Sequence, residues 1–434
     1  MPQREFYRHG LQRVHGRDIR ERHRPSSPLE LFYDLTFVAT IGVASVAFAD
    51  GIAAGEPAPA AAAFGVTMLA ILWAWTGSAW FTSAFDVDDW LFRIMTMAQM
   101  AGVIVLGIGV PDTFRAFETG GRFAPVVMTA GYVIIRIATI GQWMRVAASD
   151  PPNRQPAIGN AVVVGIAQCG WAAQLFLPLP GPLLLLWLLL FLAIEIAGPL
   201  VVERRAERGG RTGVPWHPEH IAERYGLMAI ITLGETVTGT LASAARISAA
   251  RGWSLDAIVV IATGVVISFS LWWAYYLIPS GPVLAVRRDK FVVWVYGHIV
   301  LFAAIAAVGA GLHVIGFTYA PRSHVTEQTA VISVAGPVLI VMLCMILLDA
   351  WLVSALLSTV GYAFTLAPPI AAIVLSFAGV PLWGCLLVVA ASPLSIIVTH
   401  ESRDWRGMRE RLQRVLRTNT PAEPNPDPRP DAAV

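Results

Sequence analysis

Charged side chains inside long apolar segments are the residues of this sequence whose types and positions could carry chemistry. Those that fall within such segments are Asp34, Arg93, Arg136, Glu195, Glu235 and His298. A charged group at the centre of a bilayer costs about 2.5–3.5 kcal/mol on insertion scales, so each of them must be paired or hydrated. Ion pairs that tie helices together and a hydrated path for a proton or an ion both satisfy this requirement. The residues alone leave both interpretations open.

A second group of titratable residues lies nearer the ends of the predicted helices. These are Glu30, His220, Glu223, Arg224, His313 and Asp349. Glu30 and Asp34 are four residues apart and therefore share one face of a helix. Glu223 and Arg224 follow His220 by three and four residues, so these three side chains occupy neighbouring faces of one helix.

Depth along the helices sorts these groups into candidate pairs. At a rise of about 1.5 Å per residue, the groups near one membrane face are Asp34, Arg93 and Arg224. Arg136 lies close to the middle of its segment, and Glu195 and Glu235 are the acids nearest that level. We therefore predict that Asp34 and Glu235 are the titrating groups of any path and that Arg136 and Arg224 are their partners.

Glu235 is the hardest of these residues to explain as part of a structural ion pair. It follows a run of apolar residues that begins at Ile230, and Thr232 and Thr236 lie on either side of it. Small hydroxyl residues suit a polar cavity, and a carboxyl group held in such a cavity suits proton exchange. The pattern favours a functional role at this position.

The sequence predicts no metal site and no haem. His217, His220 and Glu223 recur at intervals of three, which can place ligands along one helical edge, but a turn at the start of a membrane helix explains them adequately. A haem held by two histidines needs them on facing helices. His298 and His313, the histidines near membrane depth, lie on one predicted helix.

Other cofactor and enzyme classes lack their defining residues. Retinal needs a lysine inside a span, whereas the only lysine, Lys290, lies at a helix edge in a basic cluster. The three cysteines are not spaced as a CxxC motif, which leaves no disulfide framework or metal ribbon. Phosphate-binding loops, dinucleotide glycine motifs and nucleophile elbows are missing from any usable context. We therefore predict no cofactor, no catalytic residue and no enzymatic activity.

The composition identifies the elements that must position these residues. The chain has 434 residues, of which 56% are hydrophobic and only 14% charged, and its mean hydropathy is +0.62. A soluble domain carries about 25% charged residues, so this chain has too few to cover a water-facing surface. Large soluble enzymes, disordered proteins and nucleic-acid-binding proteins are thereby excluded. The prediction is an all-α, polytopic integral membrane protein in contact with the lipid bilayer.

A spanning helix needs about 20 mostly apolar residues, and roughly twelve segments of the chain meet this condition. They cover 31–49, 60–82, 91–110, 123–147, 157–177, 182–202, 220–245, 255–278, 291–317, 329–350, 353–378 and 381–400. The last three boundaries are the hardest to draw, because 331–400 is almost unbroken apolar sequence. Pro368 and Pro369 in this stretch could kink one helix or separate two.

The distribution of Arg and Lys predicts the orientation of the chain. The two tails and the loops on their side contain 23 Arg and Lys residues, against five in the opposite loops. Cytoplasmic segments carry the excess of positive charge, so both termini are predicted to be cytoplasmic. The predicted parts are a basic segment 1–30, a six-helix half 31–202, a basic cytoplasmic loop 203–219, a second six-helix half 220–400 and a tail 401–434 that is disordered at its end.

The two halves share a pattern that could reflect an internal duplication. The motif YxLxxVxTIG from Tyr33 lies over YxLxxIxTLG from Tyr225, and WAW from Trp73 matches WAY from Trp273. Six helices separate the copies, so the halves would be parallel six-helix repeats with any pathway between them. Chance similarity between apolar segments of biased composition explains the pattern equally well.

Two further patterns each have two interpretations. The Trp and Tyr clusters around Trp73 and Trp272 are typical of interfacial belts, and a stacking or cation–π site is the alternative. The acidic segment 86–89 could cap the next helix through Asp88 or Asp89. It could also accept hydrogen bonds from Arg93 or from a neighbouring basic loop.

Three segments resemble the bacterial low-temperature-requirement protein A (LtrA) family. They are SPLELFYDLTFV from Ser27, WAWTGSAWFTSAFD from Trp73 and HIAERYGLMAIITLGE from His220. The resemblance covers about residues 25–400 and departs from the family at Thr36 and Met228. It implies a multi-pass protein of the bacterial plasma (inner) membrane, linked by name to growth in the cold, with no established substrate or reaction. The family signature positions that it implies are Glu30, Asp34, His220, Glu223, Arg224, Gly234 and Glu235.

The favoured interpretation is a membrane transporter or permease for an unidentified small solute or ion, with coupling to protons as a further hypothesis. The alternative is a non-transporting structural membrane protein that supports assembly or adaptation to cold or stress. A membrane-embedded enzyme or metalloprotein is the least favoured. Convergence of Asp34, Arg136, Glu195 and Glu235 on a water-accessible cavity would favour transport, whereas a dry, fully paired core would favour the structural role.

Overall fold

The computed structural model describes residues 10–19, 21, 25–85, 87–120, 125–177, 179–210, 213–320, 324–354, 359–401 and 405–418. Apart from one 3₁₀ turn at Arg288–Lys290, the regular elements in these ranges are the α-helices α1 (Pro28–Ala53), α2 (Pro57–Phe85), α3 (Trp90–Ile108), α4 (Val110–Thr119), α5 (Val126–Ser149), α6 (Arg154–Ala173), α7 (Gly181–Arg208), α8 (Pro218–Arg251), α9 (Leu255–Tyr275), α10 (Ser280–Val286), α11 (Phe291–Phe317), α12 (Glu327–Val353), α13 (Thr359–Phe377), α14 (Leu382–Glu401) and α15 (Trp405–Thr418). The predicted all-α fold is confirmed.

Eleven segments of the described chain are helical, long enough and apolar enough to cross a membrane. Helices α3 and α4 together make one of these segments, and α9 with α10 makes another. The remaining predicted span corresponds to α13, whose apolar part Tyr362–Phe377 is shorter. Pro368 and Pro369 lie inside α13 and therefore do not separate two helices. The prediction of a polytopic membrane protein with about twelve helices is thus confirmed.

Local sequence signals define where two helices near the candidate site begin. Ser27 and Glu30 form a reciprocal capping box at the start of α1: the Ser27 hydroxyl accepts from the Glu30 backbone N–H, and the Glu30 carboxylate accepts from the Ser27 N–H. Asp89 caps α3, because its Oδ1 accepts from the Phe92 N–H at 2.9 Å. The capping role predicted for the acidic segment is therefore found at Asp89.

Helix α11 is the centre of the bundle, and α7 lies at its edge. The most apolar stretch of α11 is 78% buried inside the protein, against 6% for that of α7. Helix α11 packs against α8, α12 and α1, whereas α7 packs mainly against α6. Lipid tails are as apolar as leucine, so the leucine-rich surface of α7 gains little by burial in protein. Helix α7 is therefore a loosely packed outer wall of the first half.

Glycines allow the closest helix crossings. A Cβ atom added to Gly131 of α5 would lie 2.2 Å from the Leu106 backbone nitrogen of α3. A Cβ added to Gly309 of α11 would lie 2.5 Å from the Glu235 carbonyl carbon of α8. Only glycine fits at these two positions, since no real Cβ approaches backbone atoms so closely. The second crossing sets the position of Glu235 against the central helix.

The two halves show the same order of helix neighbours. In the first half α1 packs against α2 and α3, and the chain then continues through α3–α5, α5–α6 and α6–α7 contacts. In the second half α8 packs against α9 and α11, followed by α11–α12, α12–α13 and α13–α14 contacts. Helix α14 also packs on α9 and α12, which closes the second half more tightly than α7 closes the first. The duplication and the proposed domain boundaries stay predictions.

The two ends of the bundle are called here the first face, where α1 begins, and the second face, where α1 ends. At the first face the N-terminal segment lies against the α2–α3 turn, with the Gln12 N–H donating to Asp89 Oδ2 at 3.0 Å. Arg288, before α11, donates to the Trp216 carbonyl before α8 at 3.1 Å. Trp351 near the end of α12 donates to the Lys290 carbonyl at 3.3 Å. Helix ends from both halves therefore meet at the first face.

Candidate functional site

The charged residues predicted to form one site occupy separate places in the bundle. One group surrounds Arg224 between α1 and α8, a second consists of Arg136 and Glu195 between α5 and α7, and Glu235 is in a third place near the middle of α8. Asp34, Arg136, Glu195 and Glu235, whose convergence on one cavity would favour transport, therefore do not all meet in one cavity. The three places have different properties and are best considered one at a time.

Arg224 is held between two acids of α1. Its Nη1 lies 2.8 Å from Glu30 Oε1, and its Nη2 lies 2.5 Å from Asp34 Oδ1. The side chains of all three residues are buried, and the predicted pairing of Asp34 with Arg224 is found. The spacing of four between the two acids presents both carboxylates to one guanidinium, which arginine can bridge because its donors form a planar fork.

Two more residues complete the cluster around Arg224. His220 Nε2 lies 3.1 Å from Glu30 Oε1, and the Trp75 indole Nε1 of α2 donates to Asp34 Oδ1 at 2.7 Å. This arrangement joins α1, α2 and α8 through buried polar contacts. Neither of the two cavities that reach the Arg136–Glu195 pair is lined by these acids. The cluster has the properties of a structural tie between the two halves.

The remaining signature positions have other surroundings. Glu223 lies at the first face and accepts from the Ser26 backbone N–H at 3.1 Å, next to the start of α1. Gly234 faces open space, since an added Cβ would meet no atom within 4 Å. Nothing in the structure explains a preference for glycine at that position. Most of the signature residues therefore lie where α1 and α8 meet.

Arg136 of α5 pairs with Glu195 of α7, and the prediction that its partner is one of the titrating acids Asp34 and Glu235 is wrong. Arg136 Nη2 lies 2.5 Å from Glu195 Oε1, and both side chains are only 4% exposed. The Tyr132 hydroxyl donates to the same oxygen at 2.6 Å, and Trp171 Nε1 of α6 donates to Glu195 Oε2 at 2.7 Å. Arg136 approaches α7 rather than α8 because α5 packs against α3 and α6 in the outer part of the first half.

Arg136 retains an unused donor. Its Nε is buried and has no hydrogen-bond partner among the described residues. Its Nη1 faces Gly77 of α2, where an added Cβ would lie 3.1 Å away. The carboxylate of Glu195 receives three donors, whereas the guanidinium of Arg136 keeps one buried donor that no described residue uses.

A cavity of about 440 Å³ approaches this ion pair from the first face. It lies between the two halves, with walls from α2, α5, α6, α7, α8 and α11. Its aromatic and charged lining includes Trp73, Trp143, Arg136, Glu195, Glu203 and Arg288. Arg288 lies at the mouth, where its guanidinium carbon is 3.9 Å from the centre of the Trp216 ring. A polar solute could therefore reach the ion pair from this side.

A second cavity, of about 510 Å³, approaches the same ion pair from the second face. Its walls come from α2, α4, α5, α6 and α7 and are almost entirely apolar. Both cavities are lined by Trp73 and Glu195, and along α5 the lining changes from Tyr132 to Arg136. We call these four residues the partition. The two cavities are thus stacked along the bundle and meet at the partition.

Glu235 is buried against two glycines. A Cβ added to Gly42 of α1 would lie 3.3 Å from Glu235 Oε1, and Gly309 of α11 lies on its backbone side. Among the residues that the structure describes, Glu235 has no ion-pair partner, although its side chain is almost fully buried. The role of Glu235 as a titrating group stays a prediction.

Arg93 and His298 lie outside both cavities. Arg93 forms an exposed ion pair with Asp88 at 2.8 Å, so one alternative for the acidic segment is also found, while Asp86 lies outside the described residues. The His298 ring is buried; its Nδ1 donates to the Trp294 carbonyl at 2.7 Å and its Nε2 lies 3.1 Å from the Tyr275 hydroxyl. Neither position supports the predicted role in a pathway.

The two aromatic clusters differ in burial. Trp73 and Trp75 are buried inside the bundle, so an interfacial belt is the wrong interpretation for them. Trp75 binds Asp34, and Trp73 belongs to the partition. Trp272 and Trp273 of α9 are 45% and 51% exposed, which suits a belt. Burial could not be read from the sequence because both clusters have nearly the same composition.

Arg145, near the end of α5, is a neighbouring basic residue that contacts the acidic segment 86–89. Its Nη1 donates to Asp89 Oδ1 at 2.8 Å, which fastens the α5 end to the α2–α3 turn at the first face. Burial alone would raise the pKa of the Asp89 carboxyl. Hydrogen bonds from Arg145 and from the backbone N–H groups of Phe92 and Gln12 outweigh this effect and lower the pKa. Asp89 therefore stays charged and holds the N-terminal segment in place.

Comparisons with known proteins show the family to which the chain belongs. Residues 25–393 match the family described as bacterial low temperature requirement A protein (LtrA). The uncharacterized protein RA0937 of Rhizobium meliloti (strain 1021) is 27% identical over 210 residues, which cover 48% of this chain and 48% of that protein. The match thus spans about half the length of the relative, and no solved structure matches the chain. Because the family match covers most of the sequence, this protein belongs to the bacterial low temperature requirement A (LtrA) family.

Proposed function

We propose that this protein is a transporter or permease of the bacterial plasma membrane that moves a small solute or ion, and that it is not an enzyme. The observation that supports this proposal is the pair of cavities on opposite sides of the partition. A solute would cross if the partition opened to one face while it closed to the other. A purely structural role gives no reason for two cavities to meet at a buried ion pair.

The first face is proposed to be cytoplasmic, with both termini on that side. The tails and the loops that join the helices at this face carry 23 Arg and Lys residues, against five in the opposite loops. Arg205 and Arg208 lie in the last turn of α7 at this face, and Arg287, Arg288 and Lys290 precede α11 there. An excess of positive charge marks the cytoplasmic side of a membrane protein.

Single cysteines beside the partition test the alternation between faces. The native cysteines are replaced with serine, and Thr76→Cys in the first-face cavity or Thr129→Cys in the second-face cavity is introduced. We expect a membrane-impermeant maleimide to label each variant from the cytoplasmic side and, in separate vesicles, from the opposite side. This result follows because a partition that opens to each face in turn exposes both positions to both solutions. Labelling is measured in right-side-out and inverted membrane vesicles.

Ile137→Cys is the matched control for this experiment. Ile137 lies on α5 between the two cavities in depth, but it is 61% exposed on the outer surface and lines neither cavity. In the bilayer this cysteine faces lipid and should remain unlabelled from both sides. Labelling of Thr76→Cys and Thr129→Cys only from the nearer face would indicate two static cavities and would contradict the transport proposal.

Glu235 is proposed to couple transport to protons. Its buried carboxyl group lies against α1, its backbone lies against α11, and it has no cation partner among the described residues. We expect Glu235→Gln to slow proton movement about a hundredfold, the lower end of what a positioned proton-transfer group contributes. The measurement uses proteoliposomes containing a trapped pH-sensitive dye and an imposed pH gradient.

Glu56→Gln is the control for proton movement, because Glu56 is an exposed acid at the second face, outside both cavities. It should leave the rate unchanged. No proton movement with the native protein, or equal rates for native protein and Glu235→Gln, would refute the coupling. A drop in thermal stability of Glu235→Gln without any change in rate would assign the residue to packing instead.

The second candidate function is a non-transporting membrane protein that supports assembly or growth in the cold. The buried cluster of Arg224, Glu30 and Asp34 favours it, since paired charges remote from both cavities hold helices together. In that case the charged residues act on stability alone. Two-sided labelling of the cavity cysteines separates the two functions, because a structural protein has no need to open its partition to both faces.

A further inference from the structure

We infer that the second-face cavity binds the hydrocarbon chain of a long-chain carboxylic acid whose carboxyl group lies at the partition. This inference rests on the proposed function, because it names the class of molecule that the same site would carry. Three features support it: the chemistry of the cavity walls, the opening of the cavity toward the bilayer, and the partition at its inner end, where Arg136 lines the first-face side.

The walls of the second-face cavity suit a hydrocarbon chain. They are formed mainly by Val66 and Leu69 of α2, Met128 of α5 and the α7 leucines Leu184 and Leu188. Its volume of about 510 Å³ lies within the range of 300–1,000 Å³ typical of small-molecule sites. Water gains little in such a space, because an apolar cavity offers it few hydrogen-bond partners. A chain from a lipid-like molecule fills the cavity more favourably.

The cavity can be reached from the side of the bundle. Its outer wall is α7, the helix that is least buried and that packs mainly on α6. Leu185 and Leu189 line the cavity, whereas Leu186 and Leu190 of the same helix do not line it and are 63% and 51% exposed. The wall is therefore a thin layer of leucine side chains with lipid on its other side. A membrane-dissolved molecule could enter without crossing water.

The partition offers the group that would recognise a carboxyl head. Arg136 Nε is buried and unpartnered among the described residues, whereas Glu195 is already engaged by Arg136, Tyr132 and Trp171. Guanidinium groups bind carboxylates well, because their donors match the planar geometry of the acceptor. The head of the ligand would thus lie at the junction of the two cavities, from which the polar first-face cavity leads to the first face.

Photocrosslinking of the full-length protein tests the site without any transport measurement. The probe is a palmitic acid analogue with a diazirine at the end of its chain, added to the purified protein in nanodiscs. We expect mass spectrometry to locate crosslinks on cavity residues of α2, α5 and α7 in the native protein. Crosslinks spread evenly over exposed lipid-facing surfaces such as that of α9 would overturn the inference.

Two substitutions on α7 provide the matched comparison. Leu188→Trp places a large side chain in the cavity and should lower cavity crosslinking about tenfold by steric exclusion. Leu186→Trp adds the same side chain at a position that is 63% exposed and outside the lining, so crosslinking should not change. Equal crosslinking in both variants would contradict the assignment.

Competitors distinguish the head group and the source of the chain. Unlabelled palmitic acid should displace the probe, whereas hexadecyltrimethylammonium, with the same chain length and a cationic head, should not. Equal competition by both would overturn the role of Arg136. A phospholipid with a diazirine-bearing chain should give no cavity crosslinks, and stronger crosslinking by the phospholipid would make the cavity a bilayer lipid site. Failure of these tests together with two-sided cysteine labelling would leave transport standing with another substrate.

Discussion

Replacing Arg224 with methionine is expected to lower the free energy of unfolding by about 3–5 kcal/mol, the usual effect of removing one partner from a buried ion pair. Arg224 is the cation within hydrogen-bonding distance of both Glu30 and Asp34, and all three side chains are buried. Without it two carboxylates lie close together in an apolar interior. The change is measured as the loss of monodisperse protein after heating in detergent, followed by fluorescence size-exclusion chromatography.

Arg93→Met is the control, since the Arg93–Asp88 pair is more than half exposed on both sides. Exposed pairs contribute less than about 1 kcal/mol, so this variant should resemble the native protein. Combining Arg224→Met with Glu30→Gln and Asp34→Asn removes the arginine and both carboxylates of this cluster and should recover most of the stability. A native-like Arg224→Met variant would show that the cluster does not hold α1 against α8.

Breaking the Arg136–Glu195 pair is expected to have an effect of similar size on stability and a separate effect on binding. Arg136→Met leaves the buried Glu195 without its cation and should lower the free energy of unfolding by about 3–5 kcal/mol. The double variant Arg136→Met with Glu195→Leu should regain most of this loss, because a packed apolar pair can replace a buried ion pair. Thermal stability in detergent reports both effects.

The double variant separates the effect of Arg136 on stability from its effect on ligand binding. If Arg136 holds the carboxyl head of the ligand, the stable double variant should lose the preference for palmitic acid over hexadecyltrimethylammonium in the crosslinking competition. Arg115→Met is the control for arginine removal, because the Arg115–Asp112 pair is exposed and neither residue lines a cavity. If the double variant still prefers palmitic acid over hexadecyltrimethylammonium, Arg136 does not select the head group of the ligand.

The pairing at Arg224 could be predicted, whereas the pairing at Arg136 could not. Asp34 and Arg224 lie near the ends of helices that begin at the same face, so their depths alone restrict the possible partners. Arg136, Glu195 and Glu235 all lie near mid-depth, where depth does not discriminate among neighbours. The choice between Glu195 and Glu235 depends on which helices surround α5, and that is a property of lateral packing. The position of a residue in the sequence predicts its depth in the membrane but contains little information on which helices lie beside it.

The sequence by itself determined the membrane class, the approximate helix bounds and the charges that must be sheltered from lipid. These properties follow from the hydropathy of contiguous segments, and a bilayer imposes them on each helix independently. Only the tertiary structure decided that Arg136 meets Glu195, that Glu235 lies apart from the described cations, and that two cavities meet at one partition. The physical reason is that each cavity is a gap among helices from distant parts of the chain. Its shape depends on side-chain packing between helices, including the loose fit of α7, rather than on any one segment.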